Sequence, residues 1–161
     1  MNVLSGYVFS SLREGDIALH RGSGSGLAPI LLVAAHERSR GCVERLEREY
    51  ALKEELHAGW AARPVALTHY NDRMTLVLED PGGTPLDRLL GRPLEISHFL
   101  RITIPLALAL RRVHERGLMH KDIKPANILV DAASGRVWLT WFGIALRLSR
   151  ELESFLLITY F

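Results

Sequence analysis

Cysteine is almost absent: Cys42 stands alone in 161 residues. One thiol cannot form an internal disulfide, so the chain is not a small cross-linked secreted scaffold, and a reducing compartment suits it. An excess of one charge is missing as well. Lys and Arg number 20 and Asp and Glu 18, interspersed, for a net charge of +2. That balance gives no strong field for nucleic acid. No apolar run approaches the ~20 residues of a membrane helix. Residues 1–6 lack the basic and apolar segments of a secretory signal. These absences point to a cytoplasmic protein without a nucleic-acid or membrane partner. A P-loop is also missing. Gly22-Ser23-Gly24-Ser25-Gly26 is followed by no Gly-Lys-Ser/Thr and does not fit Gly-x-Gly-x-x-Gly, so it reads as a flexible turn between strands. No histidine spacing suggests a zinc site.

What is present is enough for one domain with a real core, since apolar residues make up 48% of the chain. Tyr7-Val8-Phe9 and Ile17-Ala18-Leu19 read as short strands, and Ile30-Leu31-Leu32-Val33-Ala34 as a buried one. Residues 43–57 are rich in helix formers and carry Glu44 with Arg48, and Glu49 with Lys53, at the favourable i, i+4 spacing. Residues 65–70 and 74–79 are two strands joined by Asn71-Asp72-Arg73, a hairpin signal. Glu79-Asp80-Pro81-Gly82-Gly83 then breaks the pattern. Residues 97–116 form a long helix with Phe99, Ile102, Leu106, Leu110 and Val113 on one face. Ser97 is its expected N-cap, Gly117 its stop, and Pro105 predicts a kink or an irregular turn. Histidines 114 and 120 at its end read as packing residues. Residues 136–140 form a further strand.

Between that helix and Ile128-Leu129-Val130 lies His120-Lys121-Asp122-Ile123-Lys124-Pro125-Ala126-Asn127. A polar turn would account for an Asp or an Asn. It does not account for a His, a carboxylate, a Lys and an amide in register. Asp122 can take a proton from an attacking hydroxyl, Lys124 can neutralise phosphate charge, and Asn127 can offer an oxygen to a hard cation.

This segment resembles the catalytic loop of eukaryotic-like protein kinases, with His-Lys-Asp where His-Arg-Asp is commoner. Lys124 in Asp-x-Lys-x-x-Asn resembles the serine/threonine branch. The resemblance runs from about Leu12 to Leu148. It implies an α+β, protein-kinase-like fold: residues 1–79 a small antiparallel β lobe with one helix, 80–83 a hinge, and 84–161 a partial large lobe, mainly helical and bearing the catalytic loop. It implies ATP and Mg²⁺ as cofactors and a protein substrate or a neighbouring signalling domain as partner. Asp122 and Lys124 are then the catalytic residues. Gly15, Glu79, Pro81 and Asn127 would contact the nucleotide, and Asn127 would also bind the metal. The oligomeric state stays open.

The chain departs from the family at several positions. Gly15 alone survives in the phosphate-covering loop, between Glu14 and Asp16. Val33-Ala34-Ala35-His36 ends in His where the family has Lys; His36 is either a weak substitute or a strand-end residue. Glu49 matches the helix glutamate that pairs with that lysine, or is half of an ordinary surface pair. Trp141-Phe142-Gly143 stands where Asp-Phe-Gly would supply a metal-binding carboxylate. Alternation along 137–142 sets Val137, Leu139 and Trp141 on one side and Trp138, Thr140 and Phe142 on the other, and the resemblance aims Trp141 at the crevice. After Gly143 no activation segment or Ala-Pro-Glu-like anchor follows, and Ser154-Phe155-Leu156-Leu157-Ile158-Thr159-Tyr160-Phe161 is apolar and β-prone. Two expectations follow: the chain is a truncated or frame-shifted version of a longer protein, or its tail packs into the space that the missing part of the large lobe would fill. Arg147-Leu148-Ser149-Arg150 with the hinge also resembles the N-terminal kinase-like domains of large bacterial sensor histidine kinases. An active kinase and a pseudokinase that binds and regulates a neighbour both remain open. Lys124 and Pro125 argue against a small-molecule kinase.

Overall fold

A computed structural model describes residues 4–35 and 41–148. Strands β1 (Val8–Arg13), β2 (Ile17–Ser23), β3 (Ile30–Ala35), β4 (Pro64–Tyr70) and β5 (Arg73–Glu79) form one antiparallel sheet in the order β1-β2-β3-β5-β4. Every residue of β3 is buried, which is why its sequence is an unbroken apolar run. Its side chains divide with period two: Leu31, Val33 and Ala35 join one cluster, and Ile30 and Leu32 join another. Helix α1 (Cys42–Ala51) adds Leu46 to the first of these. The β4–β5 turn holds Asn71 and Asp72 at φ 50° and 59°, the left-handed pair that a two-residue hairpin requires.

Beyond the hinge come β6 (Thr84–Pro85), a 3₁₀ turn at Leu86–Arg88, helix α2 (Ile96–Glu115) and β7 (Leu118–Met119). A 3₁₀ turn at Pro125–Asn127 follows, then β8 (Ile128–Val130), β9 (Val137–Leu139) and β10 (Leu146–Arg147). Strand β8 lies between β6 and β9, and β10 pairs with β7. No helix among the described residues is long and apolar enough to cross a membrane.

Several expectations need correction. Strand β2 runs on through Gly22 and Ser23. Gly22 is a packing glycine, since a Cβ there would lie 2.6 Å from Phe9 Cε1 and 2.9 Å from Ile30 Cγ1. Helix α1 stops at Ala51. The turns that follow carry Leu52, Leu56 and Trp60 into the cluster beneath α2. Glu95, not Ser97, sits at the α2 N-cap, and it makes no side-chain cap bond. The helix continues through Pro105. Ile102 and Val113 are buried as expected, but Phe99 is 47% exposed. Among the described residues after Gly83 there is one α-helix, with 3₁₀ turns and short strands, rather than a mainly helical region.

The two halves are joined by backbone bonds as well as by the hinge. Leu139 N–H donates to the Trp60 carbonyl (2.9 Å) and Ala62 N–H to the Leu139 carbonyl (3.0 Å). Trp138 Nε1–H donates to the Ala58 carbonyl (3.1 Å). The linker between α1 and β4 is thereby seated on the β8–β9 hairpin.

Candidate active site

The loop of residues 120–127 is held from below by His120, which is 1% exposed. Its Nε2–H donates to the Thr140 carbonyl (3.0 Å), and its Nδ1 accepts the Asp122 N–H (3.2 Å). Those two bonds need the neutral ring, and burial lowers the His120 pKa in the same direction. The ring packs on Phe142 at 4.5 Å between centroids. His120 is therefore the packing residue expected, and it aims Asp122.

Asp122 Oδ2 accepts from Asn127 Nδ2 (2.8 Å) and from Lys124 Nζ (2.9 Å). Burial raises its pKa, but these hydrogen bonds outweigh it and hold the carboxyl below its ordinary range. Asn127 is buried, and Nδ2 also donates to the Asp122 carbonyl (2.8 Å). Thr140 N–H donates to the Asn127 carbonyl (2.9 Å). The three residues read from the motif thus meet in one small array. Asp122 is a charged, partly exposed carboxylate, and Lys124 beside it is half-exposed.

Two features escaped the sequence reading. The first is Arg13, at the end of β1. Its Nη1 donates to the Ala126 carbonyl (3.1 Å) and to Asn127 Oδ1 (2.9 Å). Burial lowers its pKa while Asp87, Asp122 and Glu49 oppose that, and an arginine stays charged in any case. The second is the depth of Glu49, which is 0% exposed. Burial raises its pKa to about 7 against the Phe142 and Trp141 backbone amides and the Arg13 charge. Neither carboxyl oxygen reaches a hydrogen bond of normal geometry among the described residues. The surface-pair reading of Glu49 is thereby corrected. Its expected partner position, His36, lies outside the described residues.

Trp141 also differs from expectation. Strict alternation would set it with Val137 and Leu139, but it packs with Trp138 on the other side, against Leu46, Leu76, Leu78 and Leu129. The cause is its backbone: φ is 66°, a left-handed residue that breaks the strand alternation after β9. Trp141 is 5% exposed and belongs to the cluster that also holds Leu19, Leu31 and Trp138.

At the hinge, Glu79 pairs with Arg63 (2.9 Å), and its N–H donates to the Arg63 carbonyl (2.8 Å). Asp80 N–H donates to the Pro29 carbonyl (3.3 Å) and Gly82 N–H to Asp80 Oδ1 (2.8 Å). Pro81 has no N–H, so it offers a carbonyl alone. Gly15 sits at the β1–β2 turn with φ 135°, with nothing within 4 Å of a Cβ built there.

The donors present do not fit a divalent metal. Asn127 Oδ1 already accepts from a guanidinium. Trp141 has no oxygen to offer. No group of three or more His, Cys, Asp or Glu able to hold a metal occurs among the described residues.

Comparison with known proteins gives the family. The model of the protein kinase domain matches residues 30–160, well over half of the chain. This chain belongs to the protein kinase family. A non-specific serine/threonine protein kinase of Drosophila melanogaster is 30% identical over 157 residues, covering 83% of this chain and 23% of its own length. The serine/threonine-protein kinase PknA of Mycobacterium tuberculosis is 42% identical over 72 residues, covering 44% of this chain and 16% of its own. Human serine/threonine-protein kinase LATS2 is 32% identical over 108 residues, 66% of this chain and 10% of its own. The chain therefore spans less than a quarter of the length of these relatives. Within the family the fold is the expected α+β kinase domain in partial form, and ATP with Mg²⁺ is the usual cofactor pair.

Proposed function

We propose that this kinase-family domain transfers the terminal phosphoryl group of ATP to Ser and Thr hydroxyls of proteins, slowly in its present form. The array of Asp122, Lys124 and Asn127 carries this reading. Asp122 Oδ2 is committed to Lys124 and Asn127. Oδ1, with no hydrogen bond among the described residues, is left to accept the proton of the attacking hydroxyl as the new O–P bond forms and the bond to the diphosphate breaks. Lys124, half-exposed beside it, faces the transferred charge. No step is routed through a metal, because the donors do not fit one. A metal ordinarily supplies several kcal/mol of charge stabilisation. Its loss alone corresponds to a rate lower by roughly 10³. The test is phosphate transfer to a generic protein substrate: slow transfer that Asp122→Asn abolishes is expected, whereas transfer unchanged by that substitution would refute the assignment of the base.

A second reading is a pseudokinase that binds and regulates a neighbouring signalling domain. The burial of Trp141 at the position of the missing carboxylate favours it. A regulatory output that survives Asp122→Asn would select it.

A further inference from the structure

Three arginines fasten the first two strands to the chain beyond β5. Arg21 on β2 pairs with Asp80 and donates to the Gly83 carbonyl (2.8 Å). Arg88 Nη2 donates to the Ser11 carbonyl (3.3 Å). Arg13 differs in what it reaches, because its acceptors, Ala126 O and Asn127 Oδ1, belong to the catalytic loop. The β1–β2 register shifts between Ser11 and Arg13. Such an irregularity re-aims a side chain, and here it accompanies the turn of Arg13 into the crevice. Beside it, Leu12 packs against the cluster that contains Leu19, Leu129 and Trp141.

Charge decides what Arg13 does there. Asp87, Asp122 and Glu49 all act on its guanidinium. Lys124 is paired with Asp122. Glu14 and Asp16 flank the hairpin tip. The carboxyl groups of Asp87, Asp122 and Glu49 offset part of the charge that Arg13 would offer a triphosphate.

We infer that Arg13 is the resident cation of this crevice: a latch that takes the carboxamide oxygen a divalent metal would need and holds the β1–β2 hairpin against the catalytic loop. Nucleotide enters by displacing Arg13. This rests on the reading of the crevice as a nucleotide site.

The experiment compares the full chain with Arg13→Ala and with Arg13→Gln, a neutral side chain of closer reach. Affinity for a fluorescent ATP analogue is measured in excess Mg²⁺ and in EDTA, and amide hydrogen exchange is followed over residues 8–16. In the unmutated chain, Mg²⁺ changes the affinity little. Both variants are expected to exchange faster over residues 8–16. They should also gain about tenfold in affinity, the worth of one charge-assisted hydrogen bond, in Mg²⁺ and in EDTA alike. Weaker nucleotide binding in the variants would overturn the latch and make Arg13 a phosphate ligand. Unchanged exchange over residues 8–16 would overturn it whatever the affinity does. Faster exchange with no nucleotide binding by any of the three proteins would leave the latch standing and remove the nucleotide-site reading.

Discussion

A carboxyl group that is buried makes stability depend on pH, and Glu49, with no hydrogen bond to its carboxyl oxygens among the described residues, is such a group. Its folded pKa of about 7 lies above the ordinary 4.5. As pH rises, the unfolded chain releases this proton first and the folded chain holds it longer. The contribution of Glu49 to stability is therefore greatest below 4.5, falls between 4.5 and about 7, and is level above. Over that window the loss is up to about 3 kcal/mol. Glu49→Gln should unfold at higher urea than the unmutated chain at about pH 8, with the difference shrinking toward about pH 5. An equal gain at both pH values would mean another cause. Asp122 works the other way. Its depressed pKa gives stability that is present above 3.8 and lost as pH falls through its folded value, below the Glu49 window. Trp141→Asp would remove a buried indole and put a carboxylate in an apolar cluster. A loss of about 3–5 kcal/mol is expected, with no rise in melting temperature on adding Mg²⁺, because Arg13 still holds Asn127 Oδ1. A Mg²⁺-dependent rise of several degrees would show that the metal site had been rebuilt. Asp122, Lys124 and Asn127 were legible in the sequence because one short loop carries all three. Arg13 was not, and Glu49 was legible only as one of two readings, because the surroundings of both depend on contacts between distant parts of the chain.

At the scale of elements, periodicity found both helices and the longer strands but not the two-residue strands β6, β7 and β10. What it missed came from single backbone conformations and from packing. Trp141 shows the first. Alternation along 137–142 placed it on one face, and one left-handed residue moved it to the other. Helix α2 shows the second. Beyond its buried face, Ile96, Leu100, Ile104 and Leu108 recur every fourth residue and are all exposed, so apolar spacing alone could not say which stripe is covered. Pro105 leaves the Arg101 carbonyl without its helical donor, and the β8–β9 turn lies against that point. A Cβ on Gly135 would sit 2.7 Å from Arg101 Cγ and 3.3 Å from its carbonyl oxygen, and Gly135 has φ 73°. Gly135→Ala should therefore cost about 1–2 kcal/mol from the backbone, plus what it takes to move Arg101. Urea unfolding measures it. No loss would mean that the turn does not press on α2.

For the whole molecule, the hinge divides the sequence more cleanly than it divides the structure. Residues 80–83 mark a change of pattern, and a division into lobes at that point is the natural reading of the chain. Yet Leu129, Trp138 and Trp141 from beyond the hinge share one buried cluster with Leu19, Leu31, Leu46, Leu76 and Leu78 from before it. Conversely, Leu52, Leu56 and Trp60 from before the hinge lie in the cluster with Ile102, Val113 and Phe142. The Leu139 backbone bonds to both Trp60 and Ala62. Each half therefore completes the core of the other. Separated at the hinge, each would expose leucines and tryptophans that are now buried. We expect one cooperative unfolding transition. Far-UV circular dichroism reports mostly on the five-stranded sheet, and the fluorescence of Trp60, Trp138 and Trp141 reports on the junction. In urea the two signals should coincide, and a fragment of residues 1–83 should show no cooperative transition of its own. A sheet signal that survives after the tryptophan signal has been lost would show that the small lobe stands alone and that the shared cluster does not couple the halves.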